Sequence, residues 1–261
     1  MLYGVSGIFF CFFLFISSVI HDLLRILSSA YPVLLKHIVS GNWTNASASA
    51  FANFYTEMSP HFSAYEEEET PVPHLISLAK GVVLEIGPGS GTQLPRFNAE
   101  AVTRVYGIEP NGTFIPILAA KAAALPELKD KYTIIHAAFE NVEILEDYGV
   151  VEGSVDTVVC MQVLCSVDNL PTTCKSIHAL LKPGGHLLFW EHQNSSDMLT
   201  NWMQRIWNLV RRPLMGGCYL DRDIESAISK AGEWEVVEMG RDGVEGYDLM
   251  PRTWGCLRKL G

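Results

Sequence analysis

The run Val82-Val83-Leu84-Glu85-Ile86-Gly87-Pro88-Gly89-Ser90-Gly91 constrains this chain more than any other segment. An apolar, β-branched run reads as a buried parallel strand, and glycines at alternate positions let the backbone turn sharply beneath a ligand. The spacing also discriminates between ligands. A dinucleotide fingerprint is G-x-G-x-x-G, whose amides and helix N-terminus cradle a pyrophosphate. Here the third glycine comes one residue early, and Thr92 stands where a dinucleotide binder has glycine. A glycine-rich turn alone is a weak signal, so the rest of the chain decides.

From Val82 onward strand and helix signals alternate, which predicts an α/β fold: a mostly parallel sheet with helices on both faces. After the first strand, further strands are expected at Arg104–Ile108, Tyr132–His136, Val155–Cys160 and His186–Trp190. Two terminal candidates follow at Trp234–Met239 and Thr253–Leu257. A short helix is expected to begin near Gly91, with Pro95 tolerated close to its start. Longer ones are expected over Asn169–Leu181, Leu199–Arg211 and Asp221–Ala231, with Lys182-Pro183-Gly184-Gly185 as a strong breaker.

Ligands of open α/β sheets bind at the carboxyl ends of the strands. Glu109 falls there, and a carboxylate at that place accepts two charge-assisted hydrogen bonds from a vicinal diol. Phe139, after the third strand, reads either as a flat face for a heterocycle or as core. Glu85 lies inside an apolar strand, where an acid requires a partner: loop amides or a cationic ligand group.

The chain has 261 residues, 48% of them hydrophobic, enough for one sizeable core. Its net charge of −10 argues against nucleic acid as the main partner, because phosphate binding requires basic surface. The acidic run Glu66 to Glu69 reads as a solvated loop or helix end. The six cysteines show no C-x-x-C pair and no Cys/His zinc spacing, so reduced thiols and no metal are expected. Residues Met1 to Ile20 carry no charge and are long enough, at about 30 Å as a helix, to cross a hydrocarbon core. The positive n-region of a secretory signal is missing, and Arg25 and Lys36 follow the apolar run. The chain is therefore divided into a membrane anchor and linker over 1–40 and a catalytic domain over 41–261, facing the cytosol. Spanning, monotopic insertion and a hairpin through Ala30-Tyr31-Pro32 remain open.

The E-x-G-x-G-x-G loop, Glu109, Gly153-Ser154-Val155-Asp156-Thr157-Val158-Val159-Cys160 and Leu180-Leu181-Lys182-Pro183-Gly184-Gly185-His186 together resemble the class I S-adenosylmethionine (SAM)-dependent methyltransferases of the type 11 group. Val163-Leu164-Cys165-Ser166-Val167, Trp190-Glu191-His192, Gly217-Cys218-Tyr219-Leu220 and the apolar N-terminus are similar to the membrane-anchored alkyl-thiol methyltransferases of the methyltransferase-like family. The resemblance, over roughly 50–260, implies a Rossmann-like seven-stranded sheet whose last strand is antiparallel. It also implies methyl transfer to a small lipophilic acceptor near a membrane of the endoplasmic reticulum or a lipid droplet. It places Gly87, Gly89 and Gly91 beneath the methionine half of SAM, with Glu85 beside them. Glu109, with Pro110 and Asn111, takes the ribose, and Ala138 and Phe139 lie beside the adenine. Cys160, Met161 and Val163 pass behind the sulfonium. Where many relatives bind the adenine amine through Asp, this chain has Ala138, leaving Glu140 or backbone for that contact. Phe54-Tyr55-Thr56-Glu57-Met58 resembles the helix that closes over cofactor and acceptor, so Tyr55 and Met58 are acceptor-side candidates.

Methyl transfer from a sulfonium chiefly requires alignment and exclusion of water, with proximity worth about 7–11 kcal/mol. His192 at the mouth of the fifth strand is the candidate general base, or else it orients the loop through hydrogen bonds. Cys165 and Cys218 read as packing residues lining the pocket. Trp202, Ile206 and Trp207 form a helical apolar stripe, either core or the floor of the acceptor cavity. Three alternatives stay open: methylation of oxygen or nitrogen on a lipid or natural product, a non-catalytic SAM-binding membrane protein, and a dinucleotide-dependent oxidoreductase.

Overall fold

The computed structural model describes residues 43–243 and 248–261. The apolar segment read as a membrane anchor lies outside the described residues. Among those described, no helix is long and apolar enough to cross a membrane.

Seven strands form one sheet: β1 (Gly81–Ile86), β2 (Val102–Ile108), β3 (Tyr132–Ile135), β4 (Val155–Met161), β5 (Leu181–His192), β6 (Trp234–Asp242) and β7 (Arg252–Lys259). Their order is β3-β2-β1-β4-β5-β7-β6. The first five pair in parallel, and β7 runs antiparallel between β5 and β6. The expected mixed seven-stranded sheet with an antiparallel last strand is therefore the observed one.

The near-continuous apolar runs of the inner strands follow from cover on both faces. Successive side chains alternate: Leu84, Val158, Leu187 and Phe189 enter one core with Ile177, Ile224 and Ile228. Val83, Val159, Leu188 and Trp190 enter the other, with Leu75, Ile76 and Leu118. The helices supplying those partners are α2 (Val72–Ser77), α3 (Ile115–Ala123), α5 (Leu170–Leu180) and α7 (Ile224–Ser229). A long α1 (Trp43–Glu69), a short α4 (Val142–Glu146) and α6 (Met198–Leu214) complete the helices among the described residues. Three helix starts are set by side chains accepting from backbone amides: Asn169 from Thr172, Asp197 from Thr200 and Asp223 from Ser226.

Two local expectations are corrected. The helix expected from Gly91 is only a 3-10 turn, Leu94–Arg96, because Pro95 removes a donor and β2 begins at Val102. The helix before Lys182 ends at Leu180, as expected, but the strand expected from His186 starts earlier. β5 already begins at Leu181, which pairs with Val155; the next pairing is Thr157 with His186. The four intervening residues form a bulge within the strand, with Gly184 at φ +79°.

Candidate active site at the carboxyl ends of the strands

Strand order reverses between β1 and β4, and a cavity of about 680 Å³ opens at their carboxyl ends. Its volume lies within the usual range of small-molecule sites, about 300–1,000 Å³. One edge is built by the glycine turn. Gly87, Gly89 and Gly91 all take positive φ, at +64°, +55° and +74°. A Cβ on Gly87 would lie 2.6 Å from Val163 Cγ2. The first two line the cavity; Gly91 instead packs behind the turn against Leu94 and Leu118.

Glu109 at the end of β2 is the buried acid of this edge. Its Oε2 accepts from the amide of Gly89 at 2.9 Å and its Oε1 from that of Asn111 at 2.8 Å. The carboxylate thus ties the glycine turn to the β2 end while facing the cavity beside Pro110 and Asn111. Each oxygen keeps a lone-pair direction for a further donor. Asn111 in turn donates from Nδ2 to the carbonyl of Ala48 at 2.9 Å, anchoring α1. Burial raises the Glu109 pKa, opposed by those two amides.

Glu85 lies one layer deeper and accepts from the Tyr132 hydroxyl at 2.7 Å. Burial pushes its pKa up to about 7, against the Tyr132 hydrogen bond and with help from the charge of Glu109. It lines a recess just large enough for a water, together with Gly87, Tyr55 and Met161.

The roof of the cavity is α1. Tyr55 is packed against Phe51, Phe62 and Phe114 at ring-centre separations of 5.8, 5.4 and 5.9 Å. Burial pushes the Tyr55 phenol up to about 12, so it stays neutral. Met58 lines the same roof. Pro60 interrupts the hydrogen-bond ladder of α1, and the carbonyl of Thr56 accepts from Ser59 Oγ at 3.0 Å instead. The acidic run closing α1 is not wholly solvated: Glu66 is buried, pairs with Arg96 and accepts from Gln93 Nε2 at 3.1 Å. That pairing pins the roof to the segment following the glycine turn.

Val163 beside the glycine turn, and Cys165, His192 and Cys218, also line the cavity. The Glu191 carboxylate accepts from the amides of Val163, Leu164 and Cys165 at 2.8, 2.9 and 3.3 Å, which shapes the turn after β4. His192 is buried, with Nδ1 3.5 Å from Cys218 Sγ and no hydrogen-bond partner on Nε2. Burial lowers its pKa, so the imidazole is neutral. The hydrogen bond from Cys165 pushes the Cys218 thiol down against burial, while Cys165 is pushed up.

The cavity thus brings together Tyr55, Met58, Gly87, Gly89, Glu109, Pro110, Asn111, Met161, Val163, His192 and Cys218. Besides Glu85 and Gly91, four other sequence candidates stand outside its lining. Cys160 and Phe139 are buried in the core, Ala138 is half-buried, and Trp202 is 59% exposed on α6. Glu140, the other candidate for an adenine contact, accepts from the amide of Asp168 at 3.0 Å. Trp207 lines the cavity although Trp202 does not, because five residues at 100° each place them on different sides of α6. Sequence reasoning missed Phe114 and Arg252 in the lining, while Gln162 falls within the stretch Cys160 to Val163 that the resemblance put behind the sulfonium. Gln162 has φ 59°, a left-handed conformation at a non-glycine residue that no sequence pattern signals. Arg252 lies 4.5 Å over the Trp190 ring.

Residues 65–238 match the family model described as a methyltransferase domain. This chain belongs to that methyltransferase family. The chain is 34% identical over 158 residues to the thiol S-methyltransferase TMT1B of Rattus norvegicus, covering 59% of this chain and 60% of that one. It is 33% identical over 153 residues to the human thiol S-methyltransferase TMT1A, covering 57% and 58%. These matches therefore span somewhat under two thirds of each relative. Among solved structures, the N-methyltransferase NodS from Bradyrhizobium japonicum, in complex with S-adenosyl-L-homocysteine, superposes with a TM-score of 0.52 at 14% identity. That likeness covers 78% of this chain and 98% of NodS, and it concerns the fold. The glycine turn and Glu109 of this methyltransferase domain fit a nucleoside-amino acid cofactor: a turn bare of side chains, next to a buried carboxylate with acceptor capacity to spare.

Proposed function

We propose that this protein transfers a methyl group from SAM to a small lipophilic thiol or hydroxyl compound at a membrane surface, with a thiol as the favoured acceptor. One observation carries the reading: a single cavity runs from Gly87, Gly89 and Glu109 to an apolar end closed by Cys165, His192 and Cys218. The similarity to thiol S-methyltransferases supports sulfur as the atom methylated. SAM, when bound, supplies a methyl carbon on an activated sulfonium. Glu109 accepts from its ribose, and the Gly87–Gly89 turn makes room for its methionine half. The aromatic roof of Phe51, Tyr55, Phe62 and Phe114 excludes water. His192, which lines the cavity, takes the acceptor's proton in this reading.

The membrane half of the reading rests on α6, which is built inside out. Thr200, Gln204 and Asn208 face inward, and Gln204 accepts from the Ser195 amide while donating to the carbonyls of Gln193 and Leu249. Met198, Leu199, Trp202, Ile206 and Leu209 face outward; Met198 is 86% and Leu209 78% exposed. Such a stripe, on a helix that also supplies Val210 to Leu214 to the cavity mouth, suits a lipid surface.

The deciding experiment is transfer of labelled methyl from SAM to alkyl thiols, phenols and alcohols, with each acceptor offered in water or dissolved in anionic vesicles. Labelled thioether is expected. A Met198→Ser/Leu199→Ser/Leu209→Ser variant is expected to lose at least tenfold in rate on vesicle-dissolved thiol while keeping its rate on soluble thiol. Equal loss on both removes the membrane reading, and no product from any acceptor removes the enzymatic one.

The raised pKa of Glu85 makes a second expectation. Glu85 faces Tyr132 and Glu109 and is half-protonated near pH 7 when no cation is beside it. The ammonium and sulfonium of SAM favour its ionised form, so affinity is expected to rise with pH, by up to about tenfold per unit, between about pH 5 and pH 7. Titration calorimetry measures this, and Glu85→Gln should flatten the slope. Without ligand the sign is opposite for stability. The folded carboxyl holds its proton up to about pH 7, while the unfolded one loses it near 4.5, so its contribution falls as pH rises through that window.

A further inference from the structure

Cys165, His192 and Cys218 come from three separate segments: the turn after β4, the end of β5 and the loop after α6. One ligand-type atom from each lies within 4.8 Å of the other two, and all three residues are buried. The cluster is held from outside itself. Glu191 fixes the turn that carries Cys165, and the carbonyl of Cys165 accepts from the amide of Tyr219 at 2.9 Å, locking the two cysteine segments together. Arg222 donates to the carbonyl of Leu164 at 2.9 Å and stacks 4.4 Å over the Tyr219 ring. In this supported cluster, His192 Nδ1 faces Cys218 Sγ at 3.5 Å.

We propose that Cys165, His192 and Cys218 form a binding site for a soft divalent cation of the zinc type, with its fourth position open to the acceptor cavity. Zinc takes sulfur at about 2.3 Å and imidazole nitrogen at about 2.0–2.1 Å, so tetrahedral ligand atoms stand about 3.5–3.8 Å apart. The Cys218 Sγ to His192 Nδ1 separation is already 3.5 Å, and small side-chain rotations close the rest. Two thiolates and a neutral imidazole select a soft cation over magnesium or calcium, and they balance a double positive charge in a buried place. Each thiol loses its proton to solvent on coordination. All three ligands line the cavity, so the fourth position faces the space assigned to the acceptor, as in zinc sites that keep one position for substrate. A thiolate acceptor suits that position, and this last clause rests on the thiol-methyltransferase reading. With the cation in place His192 is a ligand, and the acceptor's proton leaves to solvent.

The test is titration of the reduced full-length protein with cobalt(II), read by thiolate-to-cobalt charge-transfer absorption and tetrahedral d–d bands, followed by displacement with zinc. One equivalent is expected to bind. Cys165→Ser, Cys218→Ser and His192→Ala should each weaken binding at least a hundredfold. Cys256→Ala, a buried thiol on β7, should leave it unchanged. Addition of an alkyl thiol should shift the d–d bands. Absence of charge-transfer absorption in the folded wild-type protein overturns the proposal without needing any variant, and so does an unchanged titration in Cys218→Ser. SAM binding to the metal-free protein is measured alongside by calorimetry. If it persists while cobalt fails to bind, the metal site alone falls; if SAM fails to bind while cobalt does, the methyl-transfer reading falls.

Discussion

Glu109→Ala is expected to lower affinity for SAM by at least a hundredfold and to carry methyl transfer down with it. Each carboxylate oxygen of Glu109 holds one backbone amide, Gly89 at 2.9 Å and Asn111 at 2.8 Å, so truncation unties the glycine turn from the β2 end. It also removes two charge-assisted acceptors for a ribose diol. Hydrogen bonds to charged groups are worth about 1.5–3 kcal/mol each, so two sum to about 3–6 kcal/mol, which is roughly two to four decades in affinity. Calorimetric titration with SAM or S-adenosyl-L-homocysteine measures the first effect and labelled-methyl transfer the second. Glu109→Gln, which retains one acceptor oxygen and loses the charge, should fall between wild type and alanine. An alanine variant within threefold of wild type would remove Glu109 from the cofactor site.

The largest effect on stability is expected at a glycine outside the loop. Gly107 lies on β2, and a Cβ there would stand 2.2 Å from the hydroxyl and 2.7 Å from Cζ of Tyr132. Tyr132 is buried and donates to Glu85, so it has no free direction in which to retreat without breaking that bond. Gly107→Ala therefore combines overpacking, about 1–3 kcal/mol, with a buried carboxyl stripped of its donor, about another 1–3 kcal/mol. At roughly 2–4 °C per kcal/mol for a domain of this size, thermal unfolding should begin about 5–20 °C lower. Combining Gly107→Ala with Tyr132→Phe takes away the clashing oxygen but leaves the ring carbon 2.7 Å from the new Cβ, so it should recover only part of the overpacking cost. A melting temperature within about 2 °C of wild type for Gly107→Ala alone would mean that the Tyr132–Glu85 contact is freely adjustable.

Much of this architecture was legible because it depends on short-range pattern. The alternation of strand and helix signals marked all seven strands to within a few residues, apart from the early start of β5 and the longer β6. The glycine spacing and Glu109 pointed to one edge of the cavity before any coordinates. The misread elements share a cause: their local signals are overridden by pairing with a distant segment. Lys182-Pro183-Gly184-Gly185 stops the helix at Leu180 as its residues signal, but β5 starts at once, because Leu181 pairs with Val155 and the stretch becomes a bulge. Glu66 sits in an acidic run that looks solvated until Arg96, thirty residues on, closes against it. Helix α6 carries a clear apolar stripe, but periodicity does not say which face turns inward. Its polar face is taken up by the backbone of the loops around Ser195 and Leu220.

Read alone, the chain specified a glycine turn after a first strand, an acid at the end of the second and seven strand signals. Those properties follow from φ preferences and from the period-two burial of strand residues, and both are local. Only the folded molecule decided what closes the other end of the cavity. Cysteines at 165 and 218 and a histidine at 192 have no motif spacing, and they meet because β4, β5 and the loop after α6 end at the same edge of the sheet. Spacing along a chain reveals a site only when one element carries its ligands; this cluster is assembled from three.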